Sequence, residues 1–140
     1  EAANIHPALA ALKDDGYKLL VFLSCVDHLA DHSREFPGRY ELVYQLRDME
    51  KLRDIRVRAF IDGDPPQIDS ASDLFPPANW DERETYDLFG VMFTGHPDLT
   101  RILMPDDWIG HPLRRDSPVG GEVVEFSEEH DLWQTAPDEA

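Results

Sequence analysis

Apolar and polar positions along the first sixty residues predict one helix and three strands. The segment His6–Asp15 carries apolar residues at helical spacing and is followed by Gly16, a residue type common just after a helix. The next segment, Leu19–Val26, is almost continuously apolar, which predicts a strand buried on both faces. Further along, Arg39–Leu46 and Asp54–Ile61 alternate between apolar and polar residues, as half-buried strands do.

A second helix is predicted from the signals at its two ends. Asn79 precedes a helical pattern, and Glu82 stands three residues later, as in a capping box. Gly90 follows the pattern and is suited to the left-handed conformation that ends many helices. On this helix Trp80 and Leu88 are expected to face the core.

The remaining patterns complete a fold prediction. Short strands are expected near Val91 and Ile102, followed by an ordered loop rich in proline and glycine. We predict an α+β fold, a two-layer sandwich in which short helices pack on a mixed or antiparallel sheet, followed by an extended loop-rich C-terminal segment. Residues 1–119 are expected to form this single domain. Residues 120–140 are expected to form an acidic extended tail, because seven acids and no Lys or Arg follow position 121.

The charge balance excludes two classes of partner. The chain has 13 Lys and Arg against 29 Asp and Glu, a formal net charge of −16. Nucleic acids and anionic lipid surfaces both require a basic footprint, so neither is an expected partner. No stretch approaches the roughly 18 consecutive apolar residues of a membrane helix, so no direct membrane span is expected.

Positive charge is nevertheless concentrated in the predicted hairpin. Most such faces are simply solvated, whereas a specific acidic partner is the sharper interpretation, and the sequence leaves both open. The basic residues concerned are Arg39, Arg47, Lys51, Arg53, Arg56 and Arg58.

Cys25 is the only cysteine, so the chain has no thiolate set for zinc or for an iron–sulfur cluster. Its apolar surroundings in the sequence favour a small buried residue over a catalytic thiol. A single cysteine and the lack of an apolar leader favour a reducing, cytoplasmic setting.

Two Gly-His-Pro tripeptides are the first candidates for chemistry. His96 and His111 are acceptable metal ligands, and with a nearby Asp they would suggest a metal-dependent hydrolase. The competing interpretation is structural: glycine allows a tight turn, histidine donates to a backbone carbonyl, and proline stiffens the loop. The 15-residue separation, without helical ligand spacing, favours the structural interpretation.

A pair of carboxylates is the second candidate. Glu84 and Asp87 are three residues apart on the predicted helix and would share a face, as an acid–base pair requires. Buried or interfacial ion pairing is the commoner use of such residues. The sequence contains no nucleophile elbow, phosphate-binding loop or dinucleotide fingerprint.

The block ANWDERETYDLFGVMFTGHPDLTRILMPDDWIGHPLRRDSPV, residues 78–119, resembles the signature of the 30 kDa-type subunit of respiratory complex I, also known as the C-type subunit of NADH-quinone oxidoreductase. Departures from the family pattern are few: Thr100 and Ser117 differ from common residues, and Arg115 replaces a usual Lys. The matching residues are Trp80, Glu82, Arg83, Glu84, Tyr86, Asp87, Phe89, Gly90, Phe93, Gly95, His96, Pro97, Leu99, Arg101, Gly110, Pro112, Leu113, Arg114 and Asp116.

The resemblance implies a scaffold within an enzyme. Subunits of this family pack in the peripheral arm against subunits similar to the forty-nine- and twenty-kilodalton subunits of complex I, which shape the quinone site. They bind no cofactor and no metal themselves, while their partners carry FMN, iron–sulfur clusters and quinone. The chain alone is therefore expected to have no catalytic residues and no activity. Related subunits serve in ferredoxin-, F420- and hydrogenase-type complexes, so the electron donor stays open.

The resemblance also implies a contact surface and a location. Trp80 to Asp116 is the expected contact segment, with Arg83, Arg101, Arg114 and Arg115 as interface arginines and Trp80, Phe93 and Trp108 as anchors. The expected location is the cytoplasmic face of a bacterial plasma membrane, or the matrix or stromal face in an organelle.

Overall fold

A computed structural model describes residues 5–31, 33 and 35–118 and contains two helices and five strands in that part of the chain. The predicted acidic tail, residues 120–140, lies outside the described residues. In chain order the elements are α1 (Ile5–Asp14), β1 (Leu19–Asp27), β2 (Tyr40–Asp48), β3 (Arg53–Ile61), β4 (Gln67–Asp69), α2 (Ala78–Phe89) and β5 (Met92–Thr94).

The main sheet is antiparallel, with β2 between β1 and β3, and it confirms the three predicted strands. Alternation decides which face meets the core, because successive side chains of a strand point to opposite sides. The core face of β2 is formed by Tyr40, Leu42, Tyr44 and Leu46, all 1% exposed or less. Helices lie with this sheet in an α+β arrangement, so the predicted fold class is confirmed.

The prediction that β1 is buried on both faces is wrong. β1 is an edge strand, and its burial alternates once a bulge between Leu20 and Phe22 has been passed. Leu23 and Cys25 face the core, whereas Phe22 and Val26 are exposed. The apolar run therefore supplies one core face and one apolar surface.

A second, two-stranded sheet is separate from the first. β4 and β5 pair in parallel, so the strand predicted near Val91 exists but lies outside the main sheet. The strand predicted near Ile102 is absent from the described structure. The backbone N–H groups of residues 102–104 donate to the Asp87 carboxylate instead of to a neighbouring strand.

The second helix differs from its prediction at the start and agrees at the end. It begins after Pro77, and Asn79 lies inside the helix without a side-chain capping bond. Gly90 takes the left-handed conformation, with φ 76°, and its N–H donates to the Tyr86 carbonyl. The helix packs on β1, where the Asp81 carboxylate accepts the N–H of Leu23 at 3.0 Å. This bond satisfies a backbone donor on the free edge of the sheet.

Candidate functional site

Asp87 organises the loop that follows β5. Its side chain is fully buried, and one carboxylate oxygen accepts the backbone N–H groups of Ile102, Leu103 and Met104 at 3.0, 2.8 and 2.9 Å. The other oxygen lies 2.6 Å from Nη1 of Arg101. A loop without regular structure thus has its backbone donors paired by one side chain of α2.

These bonds also set the charge state of Asp87. Burial alone would raise the pKa of this carboxyl, but hydrogen bonds from three backbone N–H groups and from Arg101 outweigh burial and lower the pKa to about 2. The carboxylate is therefore ionised at neutral pH and holds Arg101 as a paired cation.

Two of the predicted interface arginines stabilise the loop from within. Nη2 of Arg101 donates to the carbonyls of Trp108 and Gly110 at 3.2 and 3.0 Å. Arg83 donates to the carbonyls of Thr100 and Arg101, both at 3.1 Å. Planar guanidinium groups suit this use because they offer several donors in a fixed geometry.

The C-terminal end of α2 leaves no room for a side chain at position 90 unless two neighbouring side chains move. A Cβ on Gly90 would lie 2.5 Å from Nη2 of Arg114 and 2.6 Å from the His111 ring. Nδ1 of His111 lies 2.9 Å from the Asp87 carbonyl oxygen, and Nε of Arg114 donates to the Phe89 carbonyl. Both side chains therefore pair carbonyls at the end of the helix, where cations and donors are favoured.

A second ion cluster holds the end of the loop against β1. Arg39 donates to both oxygens of Asp27 at 2.9 and 2.8 Å, and it pairs with Asp116 at 2.9 Å. The backbone N–H of Arg115 also donates to Asp27. Although burial acts to raise the pKa of Asp27, the bonds from Arg39, Arg115 and Leu29 lower it to about 2.

Glu82 and His96 form a buried polar pair at the other end of α2. The Glu82 carboxylate accepts hydrogen bonds from Ser70 Oγ at 2.6 Å and from the Ala71 N–H at 2.7 Å. Burial raises the pKa of Glu82 to about 7 in spite of these bonds. Nε2 of His96 lies 3.2 Å from the Asn79 carbonyl and 3.9 Å from Glu82 Oε2.

The structure separates the two candidate metal ligands. The His96 ring contacts the carbonyl of Asn79 and the His111 ring that of Asp87, so the two rings meet carbonyls eight residues apart on α2. At 1.5 Å per residue this separation is roughly 12 Å, too far for one metal ion. Within the described residues there is no group of three His, Cys, Asp or Glu side chains that could hold a metal. The structural interpretation of both histidines agrees with these contacts.

The other chemical candidates also lack an active-site geometry. Glu84 is exposed whereas Asp87 is buried and pairs with Arg101, so the structure favours the ion-pairing interpretation over an acid–base pair. Cys25 is buried, and burial together with Asp27 and Glu41 raises the pKa of its thiol to about 12. A thiol that stays protonated at neutral pH is a poor nucleophile and a poor ligand.

The loop of residues 99–116 carries exposed apolar side chains at several positions. Ile109 is 96% exposed, and Leu103 and Leu113 are also exposed. Sequence reasoning missed Ile109 and Leu103, whose one signal was an apolar residue within an otherwise polar loop. Phe93 is 4% exposed and belongs to the core, so its prediction as a surface anchor is wrong.

Trp80 lies outside the core, contrary to its predicted inward position. Trp80 is 60% exposed, and the Arg83 guanidinium lies over its indole ring, with Cζ of Arg83 5.3 Å from the ring centroid. α2 buries Ala78, Glu82, Thr85 and Asp87 instead. The other residues predicted for the signature or the contact segment differ in exposure. Gly95, Gly110, Pro97 and Arg115 are exposed, and Trp108, Phe89 and Pro112 are half-buried. Tyr86 meets the His111 ring edge-on, and Leu99 packs against the core.

Comparison with known proteins gives a consistent result. A family model described as "Respiratory-chain NADH dehydrogenase, 30 Kd subunit" matches residues 1–123. The C-type subunit of NADH-quinone oxidoreductase from Salinispora tropica is 47% identical over 126 residues, covering 88% of this chain and 50% of that protein. Its namesake from Mycobacterium sp. (strain KMS) is 42% identical over 98% of this chain and 58% of its own length. The chain thus spans about half the length of these relatives.

Solved structures agree on the fold. A trypsin-resistant fragment (1-134) of Nqo5 is 32% identical, with a TM-score of 0.64 over 69% of this chain and 76% of the fragment. A chain of the archaeal membrane-bound sulfane sulfur reductase has a TM-score of 0.68 over 98% of this chain and 77% of its own, but at 24% identity it supports the fold alone.

In the described part of the protein, neither helix has the length and apolar character needed to cross a membrane. With a family model matched over nearly its whole length and relatives above 40% identity, this chain belongs to the family of the 30 Kd subunit of respiratory-chain NADH dehydrogenase.

Proposed function

We propose that the chain is a non-redox scaffold subunit in the peripheral arm of a proton-translocating NADH:quinone oxidoreductase and helps to assemble the quinone-proximal subunits. One observation carries this proposal: the loop of residues 99–116 is fixed by Asp87 and Arg101, yet it presents Ile109, Leu103 and Leu113 to solvent. Apolar side chains on a rigid exposed loop are typical of protein interfaces. Family membership supplies the class of complex.

The redox chemistry is assigned to partner subunits. An iron–sulfur cluster needs several thiolates, and this chain has one cysteine, which is buried. FMN, iron–sulfur clusters and quinone are therefore proposed to belong to the rest of the complex, with this chain contributing no catalytic residue. Its proposed neighbours are the subunits similar to the forty-nine- and twenty-kilodalton subunits of complex I, on the cytoplasmic face of the membrane or the equivalent organellar face.

The structure changes which residues test this proposal best. The sequence predicts that Arg114 and Asp116 contact other subunits. In the structure, however, Arg114 bonds the Phe89 carbonyl and Asp64. Asp116 pairs with Arg39. Replacing them would loosen the loop itself. Ile109 is exposed, so its replacement tests the surface without disturbing that loop.

The experiment replaces Ile109 by Asp in cells that produce the complete complex. We expect assembled complex and NADH:quinone activity of the membranes to fall about tenfold, because a carboxylate would be desolvated at the interface. Met49→Asp is the matched control, since Met49 is also an exposed apolar residue but lies on the hairpin turn. Native electrophoresis of solubilised membranes and a rate assay with NADH measure the two effects.

The outcomes separate the parts of the proposal. Normal assembly of the Ile109→Asp variant would contradict the scaffold role of this loop. Assembly into a complex that oxidises ferredoxin, F420 or hydrogen, but not NADH, would keep the scaffold role and overturn the donor. A stoichiometric metal in elemental analysis of the purified chain would contradict the proposal that this subunit binds no metal.

A further inference from the structure

The side of the main sheet that faces away from the core is a second candidate surface, distinct from the loop of residues 99–116. Paired residues of the three strands lie side by side, so their side chains form rows across the sheet. Successive rows point to opposite faces, and every second row therefore belongs to the outer face. We define the outer face by three such rows, which are Phe22–Gln45–Arg56, Ser24–Val43–Arg58 and Val26–Glu41–Phe60. In the last row Glu41 is only 4% exposed and bonds His28, so the open part of this face consists of the first two rows and Val26.

One half of the outer face is apolar. On β1, Phe22 is 37% exposed and Val26 is 39% exposed, and Val21 in the neighbouring bulge is 46% exposed. Val43 of β2 lies beside them and is half-buried. Several adjacent exposed apolar side chains on one strand form a patch rather than isolated surface residues.

The other half carries several arginines, of which Arg56 alone lacks a carboxylate partner among the described residues, although the chain as a whole has a formal net charge of −16. Arg47 pairs with Asp54, and Arg58 pairs with Glu41, so these charges cancel. Arg56 donates to the neutral amide of Gln45 at 3.0 Å, and no carboxylate among the described residues pairs with it. The outer face therefore has one unneutralised positive charge beside its apolar strand.

We propose that the outer face binds an amphipathic helix of a partner protein, with an apolar stripe over β1 and Asp or Glu residues over Arg56. Strands about 4.8 Å apart separate β1 from β3 by roughly 10 Å, which is close to the diameter of a helix. A helix with an acidic flank supplies the carboxylate that Arg56 lacks, while its apolar stripe removes Phe22 and Val26 from water. A second copy of the chain is a poor occupant, because its outer face has the same surplus cation and no spare carboxylate.

This inference deepens the proposed function, since the partner would be another protein of the same assembly. The test places a benzophenone amino acid at Phe22 in the full chain, in cells that form the complex, and identifies cross-linked peptides by mass spectrometry after illumination. The same amino acid at Ile109 reports on the loop surface. At Leu52, an exposed residue of the hairpin turn, it is the control for random collisions.

We expect Phe22 to cross-link to a peptide of a different protein that contains apolar residues at helical spacing and several acids, and Leu52 to give no such product. Arg56→Glu should lower the yield of this product about tenfold, which is the effect of losing one interfacial ion pair. Arg56→Lys keeps the positive charge, so its yield should stay close to that of the natural chain. Lys51→Glu, the same charge change on the turn, should leave the yield unchanged.

Three results would overturn the inference: no product from Phe22, a product with a second copy or with residues 119–140 of the same chain, or a partner peptide without acids. If Phe22 gives no product while Ile109 cross-links to a subunit of the complex, the outer-face inference fails and the proposed function stands. If neither position gives a product with another protein, both fail.

Discussion

At the scale of single residues, Asp87 connects helix α2 to the loop that follows it. Replacing Asp87 by Ala should lower the free energy of unfolding by about 3 to 5 kcal/mol, since it leaves Arg101 and three backbone N–H groups of the loop without their acceptor. Urea denaturation followed by fluorescence measures the change. Asp106→Ala, an exposed acid of the same loop, should change stability by less than about 0.5 kcal/mol. Equal effects of the two substitutions would contradict the role assigned to Asp87.

Gly90 allows a second prediction at this scale, with an internal control. Gly90 and Gly95 both have positive φ, 76° and 84°, so alanine at either should cost about 1 kcal/mol from backbone conformation. Only at Gly90 would the added Cβ overlap Arg114 and His111. We therefore expect Gly90→Ala to be about 2 kcal/mol more destabilising than Gly95→Ala in thermal or urea unfolding. Similar losses in both variants would show that the loop moves aside readily.

At the scale of elements, α2 is unusual because its inward side carries acids. Burial raises the pKa of Glu82 to about 7, above its ordinary value of 4.5, so the folded state holds a proton that the unfolded chain releases. This group's contribution to stability is complete below about pH 4.5 and is lost as the pH rises to about 7. Glu82→Gln keeps acceptors and donors for Ser70 and Ala71. Its free energy of unfolding should therefore decline less between pH 5 and 7 than that of the natural chain, and parallel curves would refute the assignment to Glu82.

The same helix shows how far the sequence alone can predict this fold. The core faces of β2 and β3 can be predicted because the alternation of apolar and polar residues within each strand is enough to tell which face is buried. The burial of Glu82 and Asp87 depends on Ser70, Ala71 and the backbone at 102–104, which local periodicity does not report. Trp80 is mispredicted for the same reason, because aromatic character suggests burial where α2 instead buries paired acids. β4 escapes prediction because its three residues gain their structure from a distant parallel partner.

At the scale of the whole molecule, two surfaces and an acidic charge shape the expected behaviour. The loop surface around Ile109 and the outer face around Phe22 belong to different elements. The end of the loop is nevertheless tied to the end of β1, because the N–H of Arg115 donates to Asp27 at 3.0 Å. The ion clusters around Asp27 and Asp87 hold the loop on the domain, so the loop surface keeps its shape before any partner arrives.

The net charge of −16 predicts how salt acts on the isolated chain. At pH 7.5 the acids repel one another, and raising the ionic strength to 0.5 M shortens the screening length to about 4 Å. Screening should therefore raise Tm by about 3 °C, equivalent to roughly 1 kcal/mol. Near the isoelectric point, at pH 4.5, the repulsion is absent, and the same salt should leave Tm unchanged or lower it by weakening ion pairs such as Arg47–Asp54. Calorimetry at the two pH values tests this, and a Tm that falls with salt at pH 7.5 would mean that paired charges outweigh the net repulsion.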